Sequence, residues 1–111
     1  MADVLGAFEQ AVMLAIVRLG RDAYGRGIHA ALQERLDRTL SPGAVHATLD
    51  RLERKRLLTS RIGEGTTARD GRARRYYMVT AAGVTALNDA RQMLEHVWSG
   101  LVWPLKPRSA R

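Results

Sequence analysis

The sequence predicts a small, mainly helical protein that carries one β-hairpin. Apolar residues recur at intervals of three and four in four segments, and between residues 58 and 79 the interval falls to two. Capping and turn residues stand where one pattern gives way to the next. The chain has 111 residues, 46% of them hydrophobic, which suits a single domain. A second subunit would be a natural source of further core for so short a chain.

The first two helices are predicted over residues 8–19 and 24–36. Their apolar stripes consist of Phe8, Val12, Ala15, Ile16 and Leu19 in the first helix and of Ile28, Ala31, Leu32 and Leu36 in the second. Asp22 is in position to cap the second helix. Gly25 and Gly27 each disfavour its first turn by about 1 kcal/mol relative to Ala, which suggests a close backbone approach there.

A third helix is predicted from Ser41 to about Arg56. Ser41 is a favourable N-cap, and Pro42 is a favourable first residue of a helix. The buried stripe consists of Val45, Leu49 and Leu52. Only a short turn separates this helix from Leu36, and two helices joined in this way form a helix-turn-helix, whose second helix enters the major groove of DNA.

Past residue 56 the pattern becomes that of two β-strands joined by a polar loop over residues 63–73. Leu58, Ser60 and Ile62 alternate with Thr59 and Arg61, and Tyr77 and Val79, which we expect in the core, alternate with Tyr76 and Met78. A hairpin directly after a helix-turn-helix is a wing. Its tip and flank carry Arg69, Arg72, Arg74 and Arg75. A cationic loop of this kind can reach a phosphate or the minor groove beside the recognition helix.

The positive charge of the chain is concentrated in this part. The sequence has 18 Lys and Arg against 11 Asp and Glu, a net charge of +7, and all but two of the cations are Arg. Residues 51–75 hold nine of the cations and three of the acids. A clustered basic patch is typical of a protein that binds the nucleic-acid backbone, and the planar fork of Arg matches phosphates and guanine edges. A solvated surface without a partner is the alternative.

A long helix is predicted after Thr80, over residues 81–103. Alternating intervals of three and four form a heptad seam of Leu87, Ala90, Leu94, Val97 and Leu101. We expect this seam to form a homodimer interface; the alternative is that the helix packs back on its own domain. Pro104 ends the helix, and residues 104–111 are expected to be a disordered basic tail. Residues 1–80 form the predicted DNA-binding domain.

Three stretches of the sequence carry recognisable motifs. Residues 23–32 read AYGRGIHAAL, residues 41–58 read SPGAVHATLDRLERKRLL, and residues 74–87 read RRYYMVTAAGVTAL. In this order they resemble the signatures of the PadR family of winged helix-turn-helix transcriptional regulators, and the resemblance extends over about residues 8–100. It implies a homodimeric repressor of a pseudo-palindromic operator, to which each protomer contributes one recognition helix and one wing. The single helix after the wing resembles the compact branch of the family.

Two positions depart from the family pattern. His46 stands where the family usually has Tyr, and Arg56 stands where it usually has Gly after the recognition helix. Arg56 removes an easy left-handed C-cap and adds a cation near the wing. For this reason the operator sequence of a relative is not transferable to this chain.

The residues expected to face DNA lie on the recognition helix and on the wing. They are Ser41, Pro42, Gly43, His46, Ala47, Arg51, Arg72, Arg74 and Arg75. Ser41 and Gly43 also have a purely structural interpretation, in which Ser41 caps the helix and Gly43 avoids a steric clash. Asp50, on the same face, is expected to pair with Arg51 or Arg54.

Trp98 and Met93 lie beside the seam and are candidates for an effector pocket. Trp98 is either a large interface anchor or, with its symmetry mate, part of a pocket in which a flat aromatic or hydrophobic molecule stacks, as the resemblance to compact relatives implies. Met93 either lines the same space or fills a gap in the core. An effector would relieve repression by changing the angle between the two wings.

The sequence predicts neither an enzyme nor a cofactor. The chain has no Cys, which excludes disulfides, thiolate metal sites and Cys nucleophiles. No phosphate-loop pattern or Ser–His–Asp arrangement occurs, and His29, His46 and His96 lack the spacing of metal ligands. The acidic start and the lack of a long apolar run indicate a cytoplasmic protein without membrane contact. A winged-helix adaptor for protein contacts and an RNA-binding module are the alternative functions.

Overall fold

The computed structural model describes residues 5–67 and 73–108, and within them the chain forms four α-helices and one β-hairpin. The helices are α1 (Ala7–Leu19), α2 (Gly25–Leu36), α3 (Pro42–Arg54) and α4 (Ala81–Trp98), with a 3₁₀ turn, Gly20–Asp22, after α1. The hairpin strands β1 (Leu58–Thr67) and β2 (Ala73–Val79) pair antiparallel, with Leu58 opposite Val79. The predicted fold class, a mainly helical winged helix-turn-helix, is therefore confirmed.

The core lies between the first three helices and the hairpin. Its largest fully buried side chains are Val12 and Met13 of α1, Ile28 of α2, Leu49 and Leu52 of α3 and Leu58 of β1. Tyr77 of β2 is buried among them as predicted, and Val79 packs against this cluster. Each buried side chain of this size contributes about 1.5–3 kcal/mol to stability, so the predicted apolar stripes hold the domain together.

The turn between α2 and α3 is held by side chains of α2. Gln33 Oε1 accepts a hydrogen bond from the Leu40 N–H at 2.9 Å, and His29 Nε2 donates to the Leu40 carbonyl at 2.7 Å. Ser41 Oγ accepts from the Ala44 N–H at 3.3 Å, which confirms Ser41 as the N-cap of α3. Hydrogen bonds to both the N–H and the carbonyl of Leu40 therefore position the start of α3.

The start of α2 differs from the prediction. Its N-cap residue is Tyr24, and Asp22 instead accepts the Tyr24 N–H at its backbone carbonyl, at 3.0 Å. A Cβ on Gly27 would lie 3.2 Å from that carbonyl oxygen and from the Tyr24 ring, whereas a Cβ on Gly25 would meet no atom within 4 Å. The expected close backbone approach therefore occurs at Gly27 and not at Gly25.

Arg56 follows α3 in the left-handed backbone conformation that favours Gly. Its φ is +63°. The Arg56 N–H reaches the Glu53 carbonyl at 2.9 Å, and the Leu57 N–H reaches the Leu52 carbonyl at 3.0 Å. These two bonds form a Schellman motif, so α3 ends in the manner of a helix followed by Gly although the residue is Arg. The left-handed conformation costs a residue with a Cβ about 1–2 kcal/mol.

The base of the wing is attached to the start of α2. The Tyr77 N–H donates to the Ala23 carbonyl at 2.8 Å, and Tyr24 forms an isolated antiparallel bridge with Tyr76. The two strands are paired residue by residue from Leu58 as far as Ile62. This part of the hairpin is therefore continuous with the helix-turn-helix through backbone hydrogen bonds.

The first turn of α4 anchors that helix to the domain. Thr80 Oγ1 accepts from the Gly83 N–H at 3.0 Å, which confirms the predicted cap, and donates to the Arg56 carbonyl at 2.8 Å. A Cβ on Gly83 would overlap the Leu57 carbonyl, so the helix passes too close for a residue with a side chain. On α4, Gly83 and Ala90 are buried, and every residue from 91 to 108 is exposed.

The predicted end of the last helix, residue 103, is wrong, because α4 ends at Trp98. Leu101 therefore lies beyond the helix that was predicted to carry it. Residues 104–108 have neither helix nor strand, and residues 109–111 lie outside the described residues. None of the helices in the described part of the chain is long and apolar enough to cross a membrane.

Candidate nucleic-acid interface

The first two turns of α3 present an exposed face opposite the core. The inward side consists of Val45, Thr48, Leu49 and Leu52. Five of the residues predicted to face DNA are exposed together, namely Ser41, Pro42, Gly43, His46 and Ala47. Apart from His46 their side chains are small, so a large molecule can approach the helix backbone closely. Contact of these residues with DNA stays a prediction.

Gly43 on this face is not required by the fold. A Cβ there would lie 3.5 Å from Ser41 Oγ, which is an ordinary van der Waals contact, and the residue stands in the first turn of α3. Within a helix, Ala is favoured over Gly by up to about 1 kcal/mol. The missing side chain at Gly43 therefore leaves room for a molecule outside the chain rather than for a neighbour within it.

The same face carries one close polar pair. His46 Nε2 lies 3.5 Å from Asp50 Oδ2, one helical turn further on, and the His46 side chain is 71% exposed. The expectation that Asp50 pairs with Arg51 or Arg54 is therefore wrong. Arg51 stands one position further round the helix and turns towards α1, where another carboxylate holds it.

That carboxylate belongs to Glu9, which was not singled out from the sequence. Glu9 Oε2 lies 3.2 Å from Arg51 Nε and 3.1 Å from Lys55 Nζ, and Glu9 Oε1 accepts the Gly6 N–H at 3.1 Å. Arg51 also donates to Thr48 Oγ1 at 3.4 Å. Glu9 is the one acid in the otherwise mostly apolar α1, and that isolation was the available signal.

Glu9 is buried and nevertheless ionised at neutral pH. Burial by itself raises the pKa of a carboxyl group, but the hydrogen bonds from the Gly6 backbone, Lys55 and Arg51 outweigh it and hold the pKa of Glu9 below its ordinary value. One negative charge therefore offsets part of the positive charge that Arg51 and Lys55 bring to α3. Arg51 keeps 48% of its side chain exposed beside this contact.

Four side chains stack where the wing meets α2. The rings of Tyr24 and Tyr76 lie 5.9 Å apart at an angle of 56°. The Arg74 guanidinium lies 4.3 Å from the centre of the Tyr24 ring, and that of Arg61 lies 4.9 Å from the centre of the Tyr76 ring. Cation–π contacts at exposed sites contribute about 0.5–1 kcal/mol each. Arg74 is therefore oriented by the helix-turn-helix as well as by its own strand.

Arg75 is connected to α3 through two hydrogen bonds. Arg75 Nη1 donates to Ser60 Oγ at 3.0 Å, and Ser60 Oγ donates to Glu53 Oε2 at 2.5 Å. This exposed cation of the wing is thereby held near the end of the recognition helix. Arg72, the remaining wing residue predicted to face DNA, lies outside the described residues.

Comparison with known proteins agrees with this geometry. The family model described as the transcriptional regulator PadR-like family matches residues 13–89, more than half of the chain. The chain belongs to the PadR-like family of transcriptional regulators. It is also 45% identical over 58 residues to Transcriptional regulator Rv3488 of Mycobacterium tuberculosis. That match covers 52% of this chain and 50% of the relative, so the aligned part spans half the length of that protein.

Several solved structures share the fold. A PadR-like transcriptional regulator from Bacillus cereus has a TM-score of 0.66 at 22% identity, over 83% of this chain and 84% of that one. For RosR of H. salinarum the TM-score is 0.69 at 22% identity, over 92% and 84% of the two chains. A PadR family transcription regulator from Clostridium difficile gives 0.62 at 25% identity, over 82% and 91%.

In this PadR-like protein Trp98 lies in a groove between α1 and α4, with a volume of about 530 Å³. The groove is lined by Gln10 and Leu14 of α1 and by Leu87, Asn88, Arg91, Leu94, Glu95 and Trp98 of α4. Met93 does not line it. Met93 and Trp98 stand on different sides of α4, and a pocket that they share in a dimer stays a prediction.

The residues of the predicted seam fall into two groups. Ala90 is buried, and Leu87 is half-buried and packs against the core of its own domain. Leu94 and Val97 on α4, and Leu101 after it, are exposed. The first part of the seam thus packs on its own chain, as the alternative interpretation supposed, and the second part leaves an apolar surface exposed.

Proposed function

We propose that this PadR-like regulator binds double-stranded DNA as a homodimer, with α3 of each protomer in a major groove and the wing beside it. The observation that supports this most is the exposed face of α3, where Gly43 and Ala47 permit DNA to approach the helix backbone closely. No neighbouring residue within the chain requires the space at Gly43. The excess of cations in residues 51–75 supplies attraction to the phosphates.

Each element has a distinct proposed part in this binding. His46 and Ala47 would meet base edges, since they stand on the outer face of α3 near its start. Ser41 and Gly43 would place the N-terminal end of α3 against a phosphate. Arg74 and Arg75 would contact the backbone from the wing, with their orientation set by the stacked tyrosines and by Ser60.

We further propose that the protein is a repressor whose dimer forms through the exposed part of the seam. The two recognition helices would then enter successive major grooves about 34 Å apart on a pseudo-palindromic operator. A flat aromatic or hydrophobic effector would bind beside Trp98 and release the DNA. The groove there is lined partly by α1. Glu9 of α1 holds Arg51 of α3 and Lys55, the C-cap of that helix, so displacement of α1 would change the position of the recognition helix.

Selection of bound sequences from a random duplex library tests DNA binding directly. We expect a pseudo-palindrome with half-sites one helical turn apart, and gel shifts on the selected duplex whose affinity falls steeply with salt. A protein that contacts about 6–8 phosphates should give a log–log slope near −6. Binding that ignores sequence, or that is unchanged at high salt, would contradict the proposal. Tighter binding of a hairpin RNA in competition would favour the RNA-binding alternative instead.

Gly43→Ala separates DNA contact from folding. We expect the variant to be as stable as the wild type or slightly more stable, because the fold tolerates the methyl group, and to bind the selected duplex at least tenfold more weakly. Gly25→Ala is the matched control, since it also stands in the first turn of a helix and meets no neighbouring atom. If Gly43→Ala bound DNA as tightly as the wild type, the proposed close approach of DNA to α3 at Gly43 would be contradicted.

Binding of an effector is tested by fluorescence. In a Trp103→Phe background the emission reports on Trp98, and anilinonaphthalene sulfonate serves as a planar aromatic probe. We expect the probe to quench Trp98 and to weaken DNA binding, and both effects should be reduced when Leu14 on the opposite wall of the groove is replaced by Asp. Quenching that is the same in Leu14→Asp would place the probe elsewhere.

A further inference from the structure

The segment that follows α4 exposes an unusual amount of apolar surface. Val102 is 80% exposed and Trp103 is 77% exposed, and Leu101 and Leu105 are more than half exposed. We call residues 101–105 the arm. The arm carries no charged residue, in a chain with a net charge of +7. Exposed Trp and Leu side chains in a continuous run mark a contact surface rather than a solvated one.

A second apolar surface lies at the other end of α4. The end of α1, the two hairpin strands and the first turn of α4 enclose a groove of about 680 Å³. We call it the hairpin groove. Its walls include Ile16, Val17, Tyr77, Met78, Val79 and Val84. Val17, Met78 and Val84 are exposed in the single chain, so their apolar surface lacks a partner there.

The arm of a chain is remote from its own hairpin groove. Val84 stands in the first turn of α4, and the 18 residues of this helix extend over about 27 Å. If a two-fold axis pairs two α4 helices antiparallel, the end of one helix lies beside the start of the other. With Leu94 on the axis, residues at equal distances before and after Leu94 meet, so Leu101 of one copy lies beside Leu87 of the other. The arm of one protomer then lies next to the Val84 turn of its partner.

The antiparallel arrangement also suits the proposed DNA contact. Each domain is attached to the first turn of its α4, so antiparallel helices hold the two domains apart by about the length of the helix, 27 Å. Recognition helices in successive major grooves need a separation of about 34 Å. Parallel helices would instead bring the two domains side by side, because helices pack about 8–10 Å apart.

We propose that the arm of each protomer docks into the hairpin groove of the other, with Trp103 as its anchor. The occupant of the groove is thus a second copy of this chain, and the contact occurs twice around one symmetry axis. The inference rests on the proposed homodimer. Because Thr59, Arg61 and Tyr76 of the wing also line the groove, the arm of one protomer steadies the wing of the other.

The lack of Cys in the chain permits a direct cross-linking test. Val84→Cys and Val102→Cys are made in separate chains, the two are co-purified as mixed dimers, and oxidation is followed on a non-reducing gel. We expect a disulfide between the two different chains, because the Cα atoms of a bridged pair must lie within about 7 Å. Neither variant alone should cross-link, since equal positions lie at opposite ends of the helix pair.

Leu14→Cys is the matched control, because Leu14 lines the other groove, beside Trp98, and is similarly exposed. A cross-link of Val102→Cys to Leu14→Cys in place of Val84→Cys overturns the proposal, and so does the absence of any cross-link in a chain that sediments as a dimer. Wild-type protein that sediments as a monomer would overturn the homodimer itself, so the two failures are distinguishable.

Dimer dissociation constants give a second, independent measurement. We expect Trp103→Ala and Val84→Asp each to weaken dimerisation about tenfold or more, and the double variant to lose little beyond either change alone, because both remove one contact. Ala82→Asp is the control, as another exposed residue in the same turn of α4. If the increases in the dissociation constant caused by Trp103→Ala and Val84→Asp multiplied in the double variant, the two residues would act independently and their pairing would be overturned.

Discussion

Two regions of the chain differ in how far their apolar residues are exposed to solvent. They are the domain formed by residues 5–80 and the segment from Arg91 to Arg108. In the first, Met13, Ile28 and Leu52 are fully buried. In the second every residue is exposed, although it includes five Leu and Val and two Trp. Both regions have the apolar periodicity of a buried helix face. The difference teaches that the first buries a core of its own within a single chain, whereas the second has the composition of a surface that another molecule covers.

The largest effect is expected where the two regions join. Gly83→Ala should destabilise the protein by about 3 kcal/mol, because the added methyl group collides with the Leu57 carbonyl and with Val79. Thermal unfolding should shift down by roughly 10–20 °C. Gly25→Ala, which meets no neighbour, should leave the melting temperature within about 2 °C of the wild type. Equal melting temperatures of the two variants would mean that α4 is not anchored at Gly83.

Leu94→Asp tests whether the exposed segment is an interface. A carboxylate in each half of an apolar contact is costly, so the dissociation constant of the dimer should rise about 100-fold while the circular dichroism spectrum stays unchanged. Sedimentation equilibrium measures the first and the spectrum measures the second. Gln92→Asp, an exposed change on another side of α4, should leave dimerisation intact. A dimer that survives Leu94→Asp would exclude this face.

The two regions also differ in their ion pairs. Glu9 is buried against Arg51 and Lys55, whereas Glu95 forms an exposed pair with Arg91 at 3.0 Å. Glu9→Gln should cost about 1–2 kcal/mol at pH 7, because it removes charge-assisted hydrogen bonds from a buried acceptor. Glu95→Gln should cost no more than about 0.5 kcal/mol. Urea denaturation measures both, and equal losses would contradict the contrast between the regions.

The contribution of Glu9 should depend on pH. Since its pKa in the folded state lies below the value of about 4.3 expected when unfolded, its stabilisation is complete above that value and is lost as the pH falls through the folded-state pKa. The stability difference between wild type and Glu9→Gln should therefore shrink on acidification. A difference that stays constant between pH 7 and pH 3 would assign the loss to packing alone.

The smallest expected effect is a gain of stability within the domain. Arg56→Gly relieves the left-handed strain, partly offset by the greater freedom of Gly in the unfolded chain, so we expect stabilisation by about 0.5 kcal/mol. Asp37→Gly should gain less, because Asp tolerates the same conformation, here with a φ of +51°, better than Arg does. Urea denaturation decides, and destabilisation by Arg56→Gly would show that its side chain has a compensating contact.

Much of the candidate interface was predictable because its signals are local. Ser41 defines the start of α3, and Thr80 defines the start of α4, through hydrogen bonds that span three residues, while the fixed φ of Pro42 suits the first residue of α3. The partners of the cations were not predictable in the same way. Arg51 and Lys55 contact Glu9 across 42 and 46 residues of sequence, and nothing near α3 indicates that an acid of α1 lies beside it.

By itself the sequence determined the helices other than the end of the last one, the hairpin and the position of the positive charge, because periodicity, caps and composition act over a few residues. It indicated the family through the resemblance of three motifs. Only the tertiary structure decided which of those charges are already held. Arg74 lies on Tyr24 and Arg75 is bonded to Ser60, while Asp50 meets His46 rather than an arginine. The physical reason is that the partner of a side chain depends on which distant elements pack beside it, and packing is a property of the whole chain.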